Sequence, residues 1–228
     1  MAKKKNEQED SFDSIDQSLS KTEQFIEKNQ KLLSTIFIVI FLVIGGYLGF
    51  KKYYLKPLEE EAISQMFAAE QYFEKDSFNL AINGDGNMPG FLEIIDDYGM
   101  TKAANLANYY TGISYLHLGQ YDEAISYLQD FSADDRVISI ISTGAIGDAY
   151  MGMGQTEDAA KKYIAAASMR KNEFISPIYL MKAGRAYELL GNWAEALKQY
   201  EKIKKDFPSS NEARMVDKFI KRAELKSK

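Results

Sequence analysis

The chain has 228 residues, of which 28 are Lys or Arg and 33 are Asp or Glu, so its formal net charge is −5. Nucleic-acid-binding proteins concentrate Lys and Arg on one surface, and this sequence has no basic block beyond the short run at residues 3–5. The lack of cysteine excludes disulfides, thiolate metal sites and acylation at an N-terminal Cys. Such a composition suits either side of a membrane and therefore does not set the location.

Residues 1–31 form a polar N-terminal tail. Residues 1–11 are typical of a disordered segment. Phe12, Ile15, Leu19 and Ile26 then recur at roughly helical spacing. They indicate either a short interfacial helix that leads into the next segment, which is the preferred interpretation, or an irregular tail with scattered apolar residues.

Residues 32–50 carry no charge and predict a transmembrane helix. At about 1.5 Å per residue, this segment covers roughly 28 Å, close to the thickness of the hydrocarbon core of a bilayer. A buried core helix and a cleaved signal peptide are the alternatives. A signal peptide has a shorter apolar region near the N-terminus and ends at small residues. Here a polar tail comes first and Lys51-Lys52-Tyr53-Tyr54 follows, so we expect a retained anchor.

The orientation of this predicted span depends on lysines near its two ends. Three lie on each side: Lys21, Lys28 and Lys31 before it, and Lys51, Lys52 and Lys56 after it. Only the lysines at residues 3–5 tip the positive-inside rule towards a cytoplasmic N-terminus.

Gly45 and Gly49 form a G-x-x-x-G pair within the predicted span. Small residues at this spacing allow a second helix to approach closely, which would make the pair a contact with a partner span. Glycine is also common in membrane helices without any such role, and both interpretations stay open.

Residues 51–104 predict a membrane-proximal helix and a degenerate first hairpin. Ala62, Met66, Ala69 and Phe73 recur at helical spacing. An Asn-Gly-Asp-Gly-Asn turn at residues 83–87 precedes a short second helix that begins near Phe91. We expect the first helix of this hairpin to run almost directly out of the span, with Pro57 marking the break.

Residues 105–210 contain three segments that align on one template, with Gly-to-Gly spacings of 35 and 37. Each segment has a Gly, a Tyr three residues later, a second Gly and then an Ala. These residues are Gly112, Tyr115, Gly119 and Ala124 in the first segment, Gly147, Tyr150, Gly154 and Ala159 in the second, and Gly184, Tyr187, Gly191 and Ala196 in the third, which closes at Pro208.

This template indicates pairs of helices. The first Gly and the Ala are small where two helices cross, the Tyr fills the space between the helices, and the second Gly ends the first helix in a left-handed conformation. The template resembles the tetratricopeptide repeat (TPR), whose period is about 34 residues. We therefore predict an all-α fold: one N-terminal transmembrane helix, then a TPR α-solenoid of about three full repeats, with the degenerate hairpin before them and a capping helix over residues 211–228.

A TPR solenoid has a concave groove lined by the first helix of each repeat, and such a groove accepts extended or helical peptide segments. Each residue that faces it could instead pack between repeats. Other TPR domains clamp a C-terminal carboxylate with Lys and Asn, but here only Arg185 and its neighbour Lys182 are basic, which argues against such a clamp. From the repeat register, the groove positions are Tyr109, Ile113, Leu116, His117, Gly144, Asp148, Met151, Met181, Arg185 and Glu188.

No arrangement of residues indicates catalysis. His117 is the only histidine and has no Cys or second His with which to share a metal. Ser114 lies three residues away, a spacing that is common by chance on a helix. The glycines do not form a phosphate loop. We expect no enzyme activity, cofactor, metal or small-molecule substrate.

The order of tail, span and TPR domain resembles the YfgM-like family of ancillary subunits of the bacterial Sec translocon. Residues 25–33, FIEKNQKLL, resemble the F-x-x-x-N-x-x-x-L approach of this family to the membrane, and residues 51–54, KKYY, resemble its basic-aromatic exit. The turn at residues 84–87 resembles versions from the Bacteroidetes group.

This resemblance implies a bacterial inner-membrane protein with a cytoplasmic N-terminus and a periplasmic TPR domain. It implies association with the SecYEG translocon and with a membrane-anchored periplasmic prolyl isomerase/chaperone, so that nascent secreted polypeptides pass to periplasmic chaperones. It carries over no catalytic residue. The alternative is a TPR scaffold of another cell-envelope assembly or secretion complex, and an enzyme is the least favoured class.

Overall fold

The computed structural model describes residues 3–132, 136–169 and 171–227. Within these ranges the chain forms helices and no strands. The chain divides into two compact units, residues 1–57 and residues 58–228. The first unit contains the apolar segment and the second contains the repeats.

The first unit is dominated by helix α1, Lys3–Phe50. Residues 3–44 contain neither Pro nor Gly, so no residue strongly opposes a helix here. Residues 1–11 were expected to be disordered, but the structure is helical from Lys3 onward. The short interfacial helix predicted for the tail is part of α1. The helical stretch Gln30–Glu74 is long and apolar enough, by length and composition, to cross a membrane.

Helical structure continues through Pro57, and Pro57 is the last residue of the first compact unit. A π-helical turn, Lys51–Leu55, follows α1, and helix α2, Lys56–Glu74, begins directly after it. The backbone N–H of Lys56 donates to the carbonyl of Lys51, five residues earlier. Proline lacks the N–H that a continuous helix would use, and the π-helical turn directly before Pro57 changes the hydrogen-bond pattern at this point.

The second unit starts with a hairpin whose second half is divided. Helix α3 spans Phe78–Asn83 and helix α4 spans Phe91–Asp97. Ala62, Met66 and Ala69 of α2 are buried in one apolar cluster with Phe91 and Ile94 of α4, as the helical stripe predicts. Helix α3 was not predicted from the sequence.

The turn between α3 and α4 is held by Asp85. Its carboxylate accepts hydrogen bonds from the backbone N–H groups of Asn87 (2.9 Å) and Met88 (2.8 Å) and from the Tyr72 hydroxyl (2.7 Å). These bonds to the charged form lower the pKa of the Asp85 carboxyl. The turn therefore keeps its anchor well below neutral pH.

Three helix pairs follow and confirm the predicted TPR solenoid. They are α5, Lys102–His117, with α6, Tyr121–Asp130; α7, Arg136–Gly152, with α8, Thr156–Met169; and α9, Ser176–Leu189, with α10, Trp193–Asp206. Gly119, Gly154 and Gly191 end the first helix of each pair with φ of 75°, 75° and 70°, as predicted. The alanines of the template, Ala124, Ala159 and Ala196, are fully buried, and Tyr115, Tyr150 and Tyr187 are partly buried.

The first Gly of each repeat permits close helix contact. A Cβ at Gly184 would lie 2.3 Å from the Tyr200 ring, and a Cβ at Gly147 would lie 2.6 Å from the Tyr163 ring. Real Cβ atoms do not approach a ring so closely, so these crossings require glycine. A Cβ at Gly112 would likewise lie 2.6 Å from Leu128.

The hairpin and the first repeat are joined by a hydrogen-bonded cap. The Glu59 carboxylate accepts from the backbone N–H groups of Lys102 (2.7 Å) and Ala103 (3.1 Å), and the Thr101 hydroxyl accepts from that of Ala104 (3.0 Å). These groups satisfy the unpaired N–H groups at the start of α5, where negative charge is also favoured. Glu59 thus fixes α2 against the start of α5.

The C-terminal cap consists of α11, Asn211–Met215, and α12, Asp217–Lys226. The Ser210 hydroxyl caps α11 by accepting from the Ala213 N–H at 3.1 Å. Val216 and Phe219 are buried in the same cluster as Tyr200 of α10. The capping helix predicted over residues 211–228 is therefore present as two short helices that meet at Val216.

Candidate protein-binding groove

Helices α5, α7 and α9 are the first helices of the three repeats and carry the predicted groove residues. In the first repeat, Tyr109, Ile113 and Leu116 are partly buried and pack against a cluster that contains Leu128 of α6 and Ala145 of α7. These three side chains therefore join the first and second repeats, which is the alternative role that the sequence left open.

His117, at the end of α5, lies apart from the other groove residues. Its ring stacks on Phe78 of α3, with centroids 4.5 Å apart and an interplanar angle of 5°. The contact connects the first repeat to the hairpin. Within the described part of the chain, no group of three His, Cys, Asp or Glu residues could hold a metal.

Asp148, in the second repeat, is the centre of a polar cluster. The Lys182 ammonium donates to both carboxylate oxygens, at 2.7 and 2.8 Å, and the Tyr163 hydroxyl donates to Oδ1 at 2.6 Å. The same ammonium lies 5.5 Å from the Tyr163 ring centroid and 5.6 Å from that of Tyr179, within range of a cation–π attraction. The cluster joins α7 and α8 of the second repeat to α9 of the third.

The two tyrosines of this cluster resist ionisation. Burial, reinforced by the hydrogen bond to Asp148, raises the pKa of the Tyr163 hydroxyl well above its usual value. Burial and the Asp148 charge raise the pKa of Tyr179 to about 12. The Tyr179 ring also fills the space beside Gly144, where a Cβ would lie 2.0 Å from it. Gly144 is therefore covered by the third repeat.

The two methionines predicted to face the groove are part of the packing. Met181 is 6% exposed and lies in the largest buried cluster, against which Met151 also packs. The expectation for Met181 is therefore wrong. Ile178, Arg185 and Leu189 define the exposed stripe of α9, and Met181 is rotated from that stripe towards the core, because successive residues turn by about 100°.

At the C-terminal end, Arg185 and Glu188 meet two residues of the capping helix. The Arg222 guanidinium donates to both Glu188 oxygens, through Nε at 3.1 Å and through Nη2. The guanidinium carbons of Arg185 and Arg222 lie 5.4 and 5.1 Å from the Phe219 ring centroid. The Glu188 side chain is only 13% exposed, so this ion pair forms one wall of the groove.

A cavity of about 590 Å³ opens at this end of the groove. Leu189 is 72% exposed and provides an apolar surface that a partner could cover. Among the described residues, no carboxylate forms an ion pair with the exposed Arg185. The cavity therefore offers one available cation beside an apolar wall, and it is lined by Arg185, Glu188, Leu189, Trp193, Phe219 and Arg222.

The repeat register did not predict four further groove residues: Leu189, Trp193, Phe219 and Arg222. The last helix was expected only as a cap, although α12 lies where the first helix of a further repeat would lie. The signal was available, because Arg222 follows Glu188 by 34 positions, one TPR period.

Comparison with known families supports the repeat assignment. Two family models described as tetratricopeptide repeat match residues 106–134 and residues 145–211. The comparison with curated proteins gave no match. The chain therefore contains tetratricopeptide repeats, which indicate a scaffold for protein–protein interactions.

Proposed function

We propose that this protein is a membrane-anchored TPR scaffold that binds protein segments in the C-terminal end of its groove. The observation that carries the proposal is the combination, in one chain, of an apolar helix of membrane-spanning length and a TPR solenoid with an open cavity. Arg and Trp are the side chains that most often dominate protein interfaces, and the cavity contains both.

The more specific role is that of an accessory subunit of the Sec translocon. It rests on the resemblance of residues 25–33 and 51–54 to the YfgM-like family. In this role the N-terminus is cytoplasmic and the TPR domain is in the periplasm of a bacterium. SecYEG, a periplasmic prolyl isomerase/chaperone and emerging polypeptides are the partners, and the protein has no enzymatic activity of its own.

Tethering would allow weak binding to suffice for this role. A scaffold held beside the channel meets each emerging segment at a high effective concentration, so no single contact has to be strong. An exposed leucine and one available guanidinium are suited to transient capture of a segment that has an apolar side chain near a carboxylate.

A photo-cross-linking amino acid at Leu189 tests the groove. We expect it to cross-link a secreted polypeptide whose translocation is arrested, whereas the same group at Lys198 should not. The Lys198 side chain is 70% exposed on α10 and is therefore a matched surface control. Arg185→Glu should reduce the Leu189 product several-fold. Equal products at the two positions would contradict a specific groove.

Cysteine labelling tests the orientation, because the chain has no native cysteine. A Glu157→Cys variant places a thiol on α8, where the native side chain is 68% exposed. We expect a membrane-impermeant maleimide that enters the periplasm to label it in intact cells. A Ser11→Cys variant should be labelled only after lysis. The reverse pattern would place the repeats in the cytoplasm.

A TPR scaffold of another envelope assembly is the second candidate. The same span and groove would serve it, and only the resemblance in residues 25–33 and 51–54 favours the translocon. Co-purification in mild detergent distinguishes the two, because each predicts different partners.

A further inference from the structure

The second unit has its charge separated along the chain. Residues 58–104 contain ten Asp or Glu and two Lys, a net charge of −8, whereas residues 171–228 contain thirteen Lys or Arg and eight Asp or Glu, a net charge of +5. The hairpin at one end of the solenoid is therefore acidic, and the third repeat with its cap at the other end is basic. Opposite potentials of this kind attract complementary surfaces.

Helix α2 presents an apolar pair within the acidic end. Ala62, Met66 and Ala69 are buried on its inner side, whereas Ile63 and Phe67, one turn apart, are 53% and 62% exposed. The outer residues of terminal repeats are usually polar, since no further repeat covers them. Two neighbouring large apolar side chains on such a face indicate a surface that is covered in the working assembly.

Helix α12 presents the opposite surface at the basic end. Phe219 and Ala223 face the core, and Leu225, on the outer side, is 66% exposed. The exposed Lys218, Lys221 and Lys226 surround it. Lys221 pairs with Glu224 at 3.3 Å, whereas Lys218 and Lys226 have no carboxylate partner within the described residues.

We propose that the outer face of α2 in one copy packs against the outer face of α12 in a second copy. Ile63 and Phe67 would cover Leu225, and Glu74 would lie near the lysines. The contact is head-to-tail, so it continues the stacking of helices from one solenoid into the next. It has no two-fold symmetry and therefore joins copies into open rows.

The charges favour this head-to-tail pairing of α2 with α12 over a symmetric pairing of identical faces. Two α2 faces packed on each other would bring the net −8 segments of both copies together, and two α12 faces would bring the net +5 segments together. Like charges at an interface disfavour association, and opposite charges favour it. A partner of another sequence that covers α2 is the remaining alternative, and the following experiment distinguishes it.

Single cysteines test the contact in the full-length protein, because the native chain has none. Phe67→Cys and Leu225→Cys proteins are prepared separately, mixed in mild detergent and treated with a short bismaleimide. We expect a cross-linked dimer in the mixture and none in either protein alone. A cross-linked dimer in the unmixed Phe67→Cys sample would overturn the proposal, because it would indicate a two-fold contact between two α2 faces. No product in any sample would overturn association of copies through these faces.

A matched control and a charge exchange complete the test. Glu157→Cys mixed with Leu225→Cys should give no dimer, because α8 lies at neither end. Lys226→Glu, introduced with Leu225→Cys, should lower the yield several-fold, and Glu74→Lys, introduced with Phe67→Cys, should restore it. A yield that does not respond to these reversals would overturn the pairing of the two faces.

Discussion

The Lys182 ammonium lies 2.7 Å from the carboxylate of Asp148, which is 34 positions earlier in the chain. Arg222 forms an ion pair with Glu188, which is also 34 positions earlier. Both pairs join the first helix of one repeat to the helix that takes this place in the next. Much of the polar groove surface therefore holds the solenoid together. Arg185 remains as a cation that no carboxylate of the described chain pairs with.

The Asp148–Lys182 pair should contribute measurably to stability. Both side chains are more than a third exposed, so solvent weakens the pair and we expect a coupling energy of about 0.5–1 kcal/mol. A double-mutant cycle with Asp148→Asn and Lys182→Met, followed by urea unfolding in detergent, measures it. The exposed pair Glu195 and Lys198 is the control and should give a smaller value. Equal values would contradict a role in joining repeats.

Gly184→Ala should destabilise the third repeat. The added methyl would meet the Tyr200 ring at 2.3 Å, and relieving such overpacking costs about 2 kcal/mol. We expect the midpoint of thermal unfolding to fall by roughly 4 °C. Gly49→Ala is the control, because no atom lies within 4 Å of the added Cβ. An unchanged midpoint in Gly184→Ala would show that the helix crossing is not as described.

Tyr179 should make the protein sensitive to alkaline pH. In an unfolded chain tyrosine ionises near pH 10, whereas burial and Asp148 raise the pKa of Tyr179 to about 12 in the folded state. Between these values the unfolded state loses the proton first, so the free energy of unfolding falls as the pH rises. The Tyr179→Phe variant should show a fall smaller by about 2 kcal/mol in urea titrations from pH 9 to pH 12. Parallel curves would contradict the account.

The glycine pair of the predicted span should matter for partners and not for the repeats. The Cβ positions at Gly45 and Gly49 are unobstructed, so a partner helix could lie against them. Gly45→Ile with Gly49→Ile should reduce co-purification of the partner, with unchanged thermal unfolding of the repeats. Val43→Ile adds bulk to the opposite side of the helix and should have no effect. Intact co-purification in the double variant would remove the glycine contact.

The repeat register could be predicted because steric demands fix it locally. Gly119, Gly154 and Gly191 have a positive φ that other residues rarely adopt, and Gly184 faces a ring that leaves no room for a Cβ. Such requirements place glycine at fixed positions in the sequence. The spacing of these glycines therefore predicts the fold without knowledge of the contacts between repeats.

The groove was harder to predict, because it depends on contacts between distant residues. The Arg222–Glu188 pair and the stack of His117 on Phe78 join elements that only the folded solenoid brings together. Met181 shows the same difficulty. The repeat template does not fix the rotation of α9 about its axis closely enough to distinguish a groove-facing residue from a buried one.

A mild-detergent pull-down of the full-length protein, beside a form that lacks residues 1–56, is the most direct test of the proposed translocon role. We expect the full-length form to recover the Sec channel and the shorter form, which has lost the apolar segment, not to recover it. Recovery of other envelope proteins by both forms, without the Sec channel, would contradict the translocon role and leave a TPR scaffold that acts elsewhere in the envelope.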